Sequence, residues 1–398
     1  MNKKLRFSIV LVFIVLFFSF LAGETVVRLI GSSDANGNFY IGSFRLYPYR
    51  VPTSQWNSKM DDYLKSSQWN IAYDSVTGWS FQPKTKSDRD GYCYRFNSDG
   101  IRTAEMETVI SKSPRSGILR IGIFGDSFTC GDNVSYEYTW GHLLENRLKS
   151  AGVDVEVLNF GVGAYGMDQS FLRWKNKGSA YDLDIVIFGL QLENINRNGN
   201  LARPLYEAQY LCRVGLPFLK PRFILEENEL KLINSPTPSP EKTMEISSDF
   251  GNWRYSKYEY WYDESKYQDH FFLRSKGVAF FYSLFKERKS RKRILDEERL
   301  ELLSLEIIKE FKQDVESKGK TFFVVVLPDA NHLKYKKIPF VEKIDKEMIV
   351  INPFLGLLKE SNRSSIKALI PTHYSIKGNE IVANVISEFM LNSDNNWR

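Results

Sequence analysis

The chain has 398 residues, with 43% hydrophobic, 26% charged and 14% aromatic side chains and a formal net charge of +6. That length exceeds what one compact core usually needs, and the composition is that of a folded chain, not a disordered one. So small a net charge gives no case for nucleic acid as a partner.

The first element is apolar. A basic "MNKKLR" precedes "FSIVLVFIVLFFSFLAG" (Phe7–Gly23), which carries no charge. At ~1.5 Å per residue this stretch is just long enough to cross a bilayer core. Lys3, Lys4 and Arg6 then stay in the cytoplasm and direct the remainder outward. Cleavage after Ala22 would leave Phe20 at the third position back, a poor site, so an uncleaved signal-anchor over residues 1–31 is expected. The segment is apolar on every face, which argues against a buried core helix.

Residues 32–117 read as a lead-in with short strands. Within it "GYCYRFNSDGIR" (Gly91–Arg102) alternates and then turns at Ser98-Asp99-Gly100, as a hairpin does. From Ile118 the pattern becomes strand–helix alternation. "ILRIGIF", "VEVLNF", "YDLDIVIFGL", "KTFFVVVLPD" and "EMIVINP" read as five strands. "YTWGHLLENRLKSAG" is a helix with Leu143, Leu144 and Leu148 on one face, and "GNEIVANVISEFML" closes the domain as another. Such alternation implies a parallel sheet covered on both faces, here over residues 118–391. Strands three and four are separated by an insertion over about residues 200–293, too long for an ordinary connection. It holds a hairpin turning near Glu226-Asn228 and an aromatic group (Trp253, Tyr255, Tyr258, Tyr260, Trp261, Tyr262) that suits either sugar stacking or packing. The basic "KERKSRKR" that follows reads as a solvated segment leading into a long amphipathic helix that ends at Gly319.

Cys93, Cys130 and Cys212 cannot all pair within one chain, and no Cys/His cluster has metal-ligand spacing. Cys130 reads as a small buried side chain. Nothing in the sequence requires a metal or an organic cofactor.

The chemistry-bearing residues gather after the strands. "ILRIGIFGDSFTCGDN" places Ser127 between the first strand and a helix, where backbone N–H groups can face a developing negative charge. "LNFGVGAYGMDQ" follows the second strand and "FGLQLENINRN" the third, and "PTHYSIKGNEIVA" puts His373 ahead of the last helix. In an open parallel sheet all four lie at the carboxyl edge, where ligands bind. The pattern is not Gly-x-Ser-x-Gly, because Thr129 stands at the final position, and no Gly-Lys-Ser/Thr follows the first strand.

These four blocks, in this order, resemble the SGNH (GDSL-type) hydrolase family over about residues 118–200 and 320–391. The early region is similar to a bacterial membrane-anchored subgroup, through Glu24 and Arg28 just after the anchor and through "NSDGIR". The resemblance implies a flavodoxin-like three-layer α/β/α domain with about five parallel strands, plus the N-terminal transmembrane helix and the long insertion. It implies Ser127 as nucleophile and His373 as general base and acid. The oxyanion donors would be the Ser127 N–H, the N–H of Ala164 (where the family usually has Gly) or of the adjacent Gly163, and the Asn194 side chain. Asn196 is the alternative to Asn194, and Asp126 and Asn196 are supporting candidates. Ile195 stands where the family often has Asp. Pro371 and Ile370 occupy the positions where the family often carries the Asp that orients its His, so a backbone carbonyl or an acid from elsewhere would do that here. "DANH" (Asp329–His332) has Asp-x-x-His spacing, but His373 holds the family's position before the last helix. His142 and His270 read as ordinary residues.

Two function classes follow. One is an esterase or O-acyltransferase on the outer side of a bacterial membrane, acting on acyl (acetyl) esters of a cell-envelope glycan or lipid through an acyl-Ser127 intermediate. The other is an inactive SGNH fold that binds a glycan or a membrane partner. The sequence leaves the oligomeric state open.

Overall fold

A computed structural model describes residues 3–66, 69–89, 91–210, 214–288 and 292–392. Cys212 and residues 289–291 of the basic run lie outside the described residues. The chain divides into two compact units, Met1–Lys65 with Ala202–Pro217 and Pro240–Glu297, and Ser66–Leu201 with Phe218–Ser239 and Glu298–Arg398. Residues 32–65 of the lead-in thus belong to the first unit and 66–117 to the second. The 222–233 hairpin of the insertion belongs to the second.

The first unit begins with α1 (Lys3–Ile30), 28 residues with a mean hydropathy of 2.6 over its apolar window, long and apolar enough to cross a membrane. Of its side chains only Val27 is buried, beside Phe39, Leu46, Tyr47, Leu273 and Ala279. The Glu24 carboxylate accepts from Ser275 Oγ (2.7 Å) and from the Lys276 (3.0 Å) and Gly277 (2.7 Å) N–H groups. An anion there satisfies N–H groups that the 276–288 helix leaves unpaired at its start. Trp253, Tyr255, Tyr258, Tyr260, Trp261 and Tyr262 are half-buried. Several of these rings pack edge-on against neighbours, as Trp253 does on Tyr255 and Tyr260 on Trp261.

The second unit is built on β1 (Leu119–Gly125), β2 (Val155–Asn159), β3 (Ile185–Gln191), β4 (Thr321–Leu327) and β5 (Ile349–Ile351). They form one sheet in the order β5-β4-β3-β1-β2, every neighbouring pair parallel. That is the flavodoxin-like order 2-1-3-4-5. Side-chain alternation supplies two apolar faces. Ile121 and Ile123 of β1 join one core with Trp140, Leu144 and Leu148 of α2 (Trp140–Ser150). The other face is aromatic. Phe124 meets Trp174 of α3 (Met167–Asn176) and Phe311 of α4 (Lys292–Glu316), at 5.9 and 6.3 Å between ring centroids. The final helix α5 (Ile376–Leu391) buries Val382, Ala383, Ile386 and Met390 against the first core. Three α/β/α layers result.

Two details depart from simple expectation. The strand Tyr92–Phe96 pairs antiparallel with Thr85–Arg89 upstream of it, and the turn at 98–100 then returns the chain so that Arg102 bridges Phe96. Gly100 sits at φ 66° there, and a Cβ would lie 2.7 Å from the Phe81 carbonyl oxygen. Leu143 is only partly buried, on the rim of its core.

Candidate active site

The chain runs from β1 outward to β2 and then back across to β3, so the strand order reverses beside β1. Ligands bind outside the carboxyl edge at such a reversal. β1 ends at Gly125, where a Cβ would meet Thr129 Oγ1 at 2.2 Å and the Gly189 carbonyl oxygen at 2.8 Å. A short helical turn, Ser127–Cys130, follows. Asp126 caps it by accepting from the Phe128 N–H, and Gly131 ends it at φ 84°. Asn159 ties the second block to this turn, its Nδ2 donating to the Thr129 carbonyl oxygen (3.0 Å) while its Oδ1 accepts from the Gly161 N–H (3.0 Å).

The Ser127 side chain is buried and meets His373. Ser127 Oγ and His373 Nε2 are 2.8 Å apart, across 246 residues. His373 Nδ1 lies 2.7 Å from Asn133 Oδ1. An amide oxygen only accepts, so Nδ1 carries the proton and Nε2 is left as the acceptor for the serine O–H. The residue that orients His373 is thus neither of the two groups expected. It is an asparagine six positions after the serine.

Several donors of these blocks are free. Among the described residues the Ser127, Gly163 and Ala164 N–H groups make no hydrogen bond within the chain. The buried Asn194 Nδ2 likewise has no partner. Asn194 Oδ1 accepts from Arg197 Nη1 (3.0 Å), and the same nitrogen donates to Asp126 Oδ2 (2.9 Å). One guanidinium therefore links Asn194 to the residue before the nucleophile and leaves the Asn194 amide N–H₂ as the free end. Ala164 adopts φ 67°, the left-handed region where a Cβ is costly, and it does so at the position where the resemblance expects Gly. Asn196 is half-buried, and its side chain enters none of these bonds.

The other histidines enter none of these bonds. His332 Nδ1 is 2.6 Å from Asp329 Oδ1, inside a capping box that starts the 330–335 helix. His142 is tilted against Tyr136 with ring centroids 4.9 Å apart, and His270 lies parallel to Phe272 at 5.2 Å.

Residues 121–205 match the family model described as GDSL-like Lipase/Acylhydrolase. The matched stretch of the α/β unit, which holds Ser127, Gly163, Ala164 and Asn194, is similar to GDSL-type acylhydrolases. That description is of ester-hydrolysing enzymes. No curated protein matches it. Solved structures similar to it are an acetyl xylan esterase, AlAXEase (13% identity, TM-score 0.35, covering 68% of this chain and 98% of that one), and a member of the lipolytic G-D-S-L family from Veillonella parvula (11%, 0.31, 68% and 97%). A third is a catalytic mutant of Axe2, an acetylxylan esterase from Geobacillus stearothermophilus (11%, 0.35, 68% and 93%).

Electrostatics in the GDSL-type domain favour a neutral imidazole. Burial holds His373 below the ordinary histidine range, while the carboxylates of Asp132 and Asp126 partly offset it. Burial pushes the Asp126 carboxyl upward, and the paired Arg197 opposes that push. Cys130, three residues after the serine, is fully buried, and burial drives its thiol up to about 12, which leaves it inert.

Sequence reasoning missed two residues of this site, Asn133 and Arg197. Arg197 carries a local signal, since it stands one helical turn after Asn194 in "NINR". Asn133 carries almost none, because its partner is 240 residues away.

Proposed function

We propose that the domain is a serine esterase or O-acyltransferase working through an acyl-Ser127 intermediate. The observation that carries this reading is the aligned relay Ser127 Oγ, His373 Nε2, His373 Nδ1, Asn133 Oδ1, with separations of 2.8 and 2.7 Å. Ser127 Oγ attacks the ester carbonyl carbon while its proton passes to His373 Nε2. The Ser127 N–H, the Ala164 or Gly163 N–H and Asn194 Nδ2 hold the resulting oxyanion. As the ester C–O bond breaks, the imidazolium returns that proton to the leaving alkoxide. An acceptor O–H then gives its proton to Nε2 and attacks the acyl carbon, and Ser127 Oγ leaves and is reprotonated. Water as acceptor makes the enzyme an esterase, and a sugar hydroxyl makes it an O-acyltransferase. A neutral Asn in the third position serves the same orienting role in Cys-His-Asn enzymes.

The substrate we favour is a small acyl ester, acetyl above all, on a cell-envelope glycan or lipid. The Ala164 methyl beside the oxyanion donors supports a small acyl group. The apolar helix α1 and its basic flank support a membrane-anchored enzyme whose domain lies outside the cytoplasm. The free donors and the neutral His373 favour an active enzyme over an inactive binding fold.

The test is to treat the full chain in detergent with a serine-reactive fluorophosphonate and locate the adduct by mass spectrometry. Labelling at Ser127 that Ser127→Ala and His373→Ala both remove is the expected result. Absence of labelling on the folded chain would overturn the proposal.

A further inference from the structure

The "NSDGIR" segment has so far no role in the chemistry. Its Asn97 Oδ1 accepts from the Asp99 and Ile101 N–H groups, both at 3.0 Å, which shapes the tight turn that delivers Arg102. Arg102 is 1% exposed. Its guanidinium donates to three backbone carbonyl oxygens: Nη1 to Cys130 (2.7 Å) and Gly131 (2.5 Å), and Nη2 to Val134 (2.7 Å). Those carbonyls bracket Asn133 on both sides. A second group of the same hairpin acts on Asn133 itself, since the Tyr94 hydroxyl accepts its N–H at 2.8 Å. Arg102 lies over the Tyr94 ring at 4.6 Å, so the two side chains are packed as one body. A third, Arg89, holds the intervening Asp132 by an ion pair of 2.6 Å.

The grip has a reason. Asn133 sits at φ 65°, in the left-handed region that asparagine adopts more readily than other non-glycine residues, and the bonds on either side of it hold it there. That conformation presents Oδ1 to His373. Among the described residues the guanidinium makes its hydrogen bonds to carbonyl oxygens and to no carboxylate. A charge buried in this way offers planar geometry, and a lysine ammonium could not match its fork.

We infer that Arg102, seconded by Tyr94, is a positioning residue: it fixes residues 130–134 so that Asn133 Oδ1 orients His373. Resting on the proposed acyl-Ser127 reading, this makes the N-terminal hairpin part of the active site. Arg102 acts through Asn133 and touches no substrate.

The experiment measures the rate of Ser127 labelling by fluorophosphonate, from pH 5 to 9, on the full chain and on Arg102→Lys, Tyr94→Phe, Asn133→Ala and the two double variants with Asn133→Ala. Wild type is labelled at Ser127 only if the reading beneath holds, so its labelling separates that failure from failure of the inference. With wild type labelled, Arg102→Lys is expected to slow labelling about 100-fold, and Tyr94→Phe about five-fold. The acidic limb should move to lower pH, because the imidazolium loses a hydrogen bond that favours it. Above all, each loss should vanish in the Asn133→Ala background, since residues acting through one group are not additive. Wild-type rates in the single variants, or losses that multiply with that of Asn133→Ala, would overturn the inference. Should Arg102→Lys fail to fold, the Tyr94→Phe cycle decides alone.

Discussion

His332 and His373 stand beyond the carboxyl ends of the same sheet, and each has a short side-chain contact through Nδ1. For His332 the partner is Asp329, three residues away, and the pair closes a capping box. For His373 the partners are Asn133 and Ser127, reached across 240 and 246 residues. The first arrangement follows from local helix geometry, because a capping box brings the N-cap residue and the third helical residue together. The second exists only when β1, the loop after it and the start of α5 are all in place. An Asp-x-x-His spacing is therefore a weak guide to catalysis, and a histidine with no acid nearby in sequence can hold the complete relay.

The sharpest way to break this comparison is to remove each histidine in turn. His373→Ala should lower ester turnover by about 1,000-fold or more, as loss of a general base does. His332→Ala should leave it within about two-fold and cost about 1 kcal/mol of stability through the lost cap contact. Steady-state hydrolysis of an aryl acetate and a thermal melt read both, and the reverse pattern would transfer the proposed base to His332.

Next comes the buried pair beneath the serine. Asp126 and Arg197 are 0% and 8% exposed. Arg197→Met should destabilise the chain by about 3–5 kcal/mol, because it strands Asp126 without a counter-charge. Urea unfolding measures this. Asp329, which is partly solvated, should show no such dependence on one partner.

A smaller effect tests why the third group is an amide. Asn133→Asp places a carboxylate on Nδ1, which favours imidazolium. His373 starts below the ordinary range through burial, so the added charge should raise the acidic limb of kcat/KM by about one pH unit. The neutral base form then disappears at higher pH than in wild type. An unmoved limb would mean that Nδ1 does not meet residue 133.

The smallest effect concerns Ala164. Ala164→Gly relieves a left-handed conformation costing about 1–2 kcal/mol, against about 0.4–1 kcal/mol of added freedom in the unfolded chain. A small net rise in melting temperature is expected. Turnover of longer acyl esters should gain relative to acetyl, if the methyl limits the acyl group.

Much of this molecule was legible in its sequence. β-branched runs ending in small residues marked the strands, and 3.6-residue periodicity marked α2, α4 and α5. Ser127, Ala164, Gly163 and Asn194 are local features that follow strand ends, so the resemblance could be carried onto them block by block. Asn133 and Arg102 were not legible as a pair. "CGDN" and "NSDGIR" each read as turns, and nothing within either segment says that a guanidinium from one grips the carbonyls of the other.

The sequence by itself determined the secondary elements, the apolar N-terminal helix and the chemical identities of the groups at the sheet edge, because propensity, periodicity and capping act over a few residues. Only the tertiary structure decided what orients His373 and that the hairpin at residues 85–102 holds the orienting residue. Those contacts join segments from about 28 to 240 residues apart, and their geometry is set by the packing of the sheet and its helices, where hydrogen bonds depend on tenths of an ångström and no local pattern carries the information.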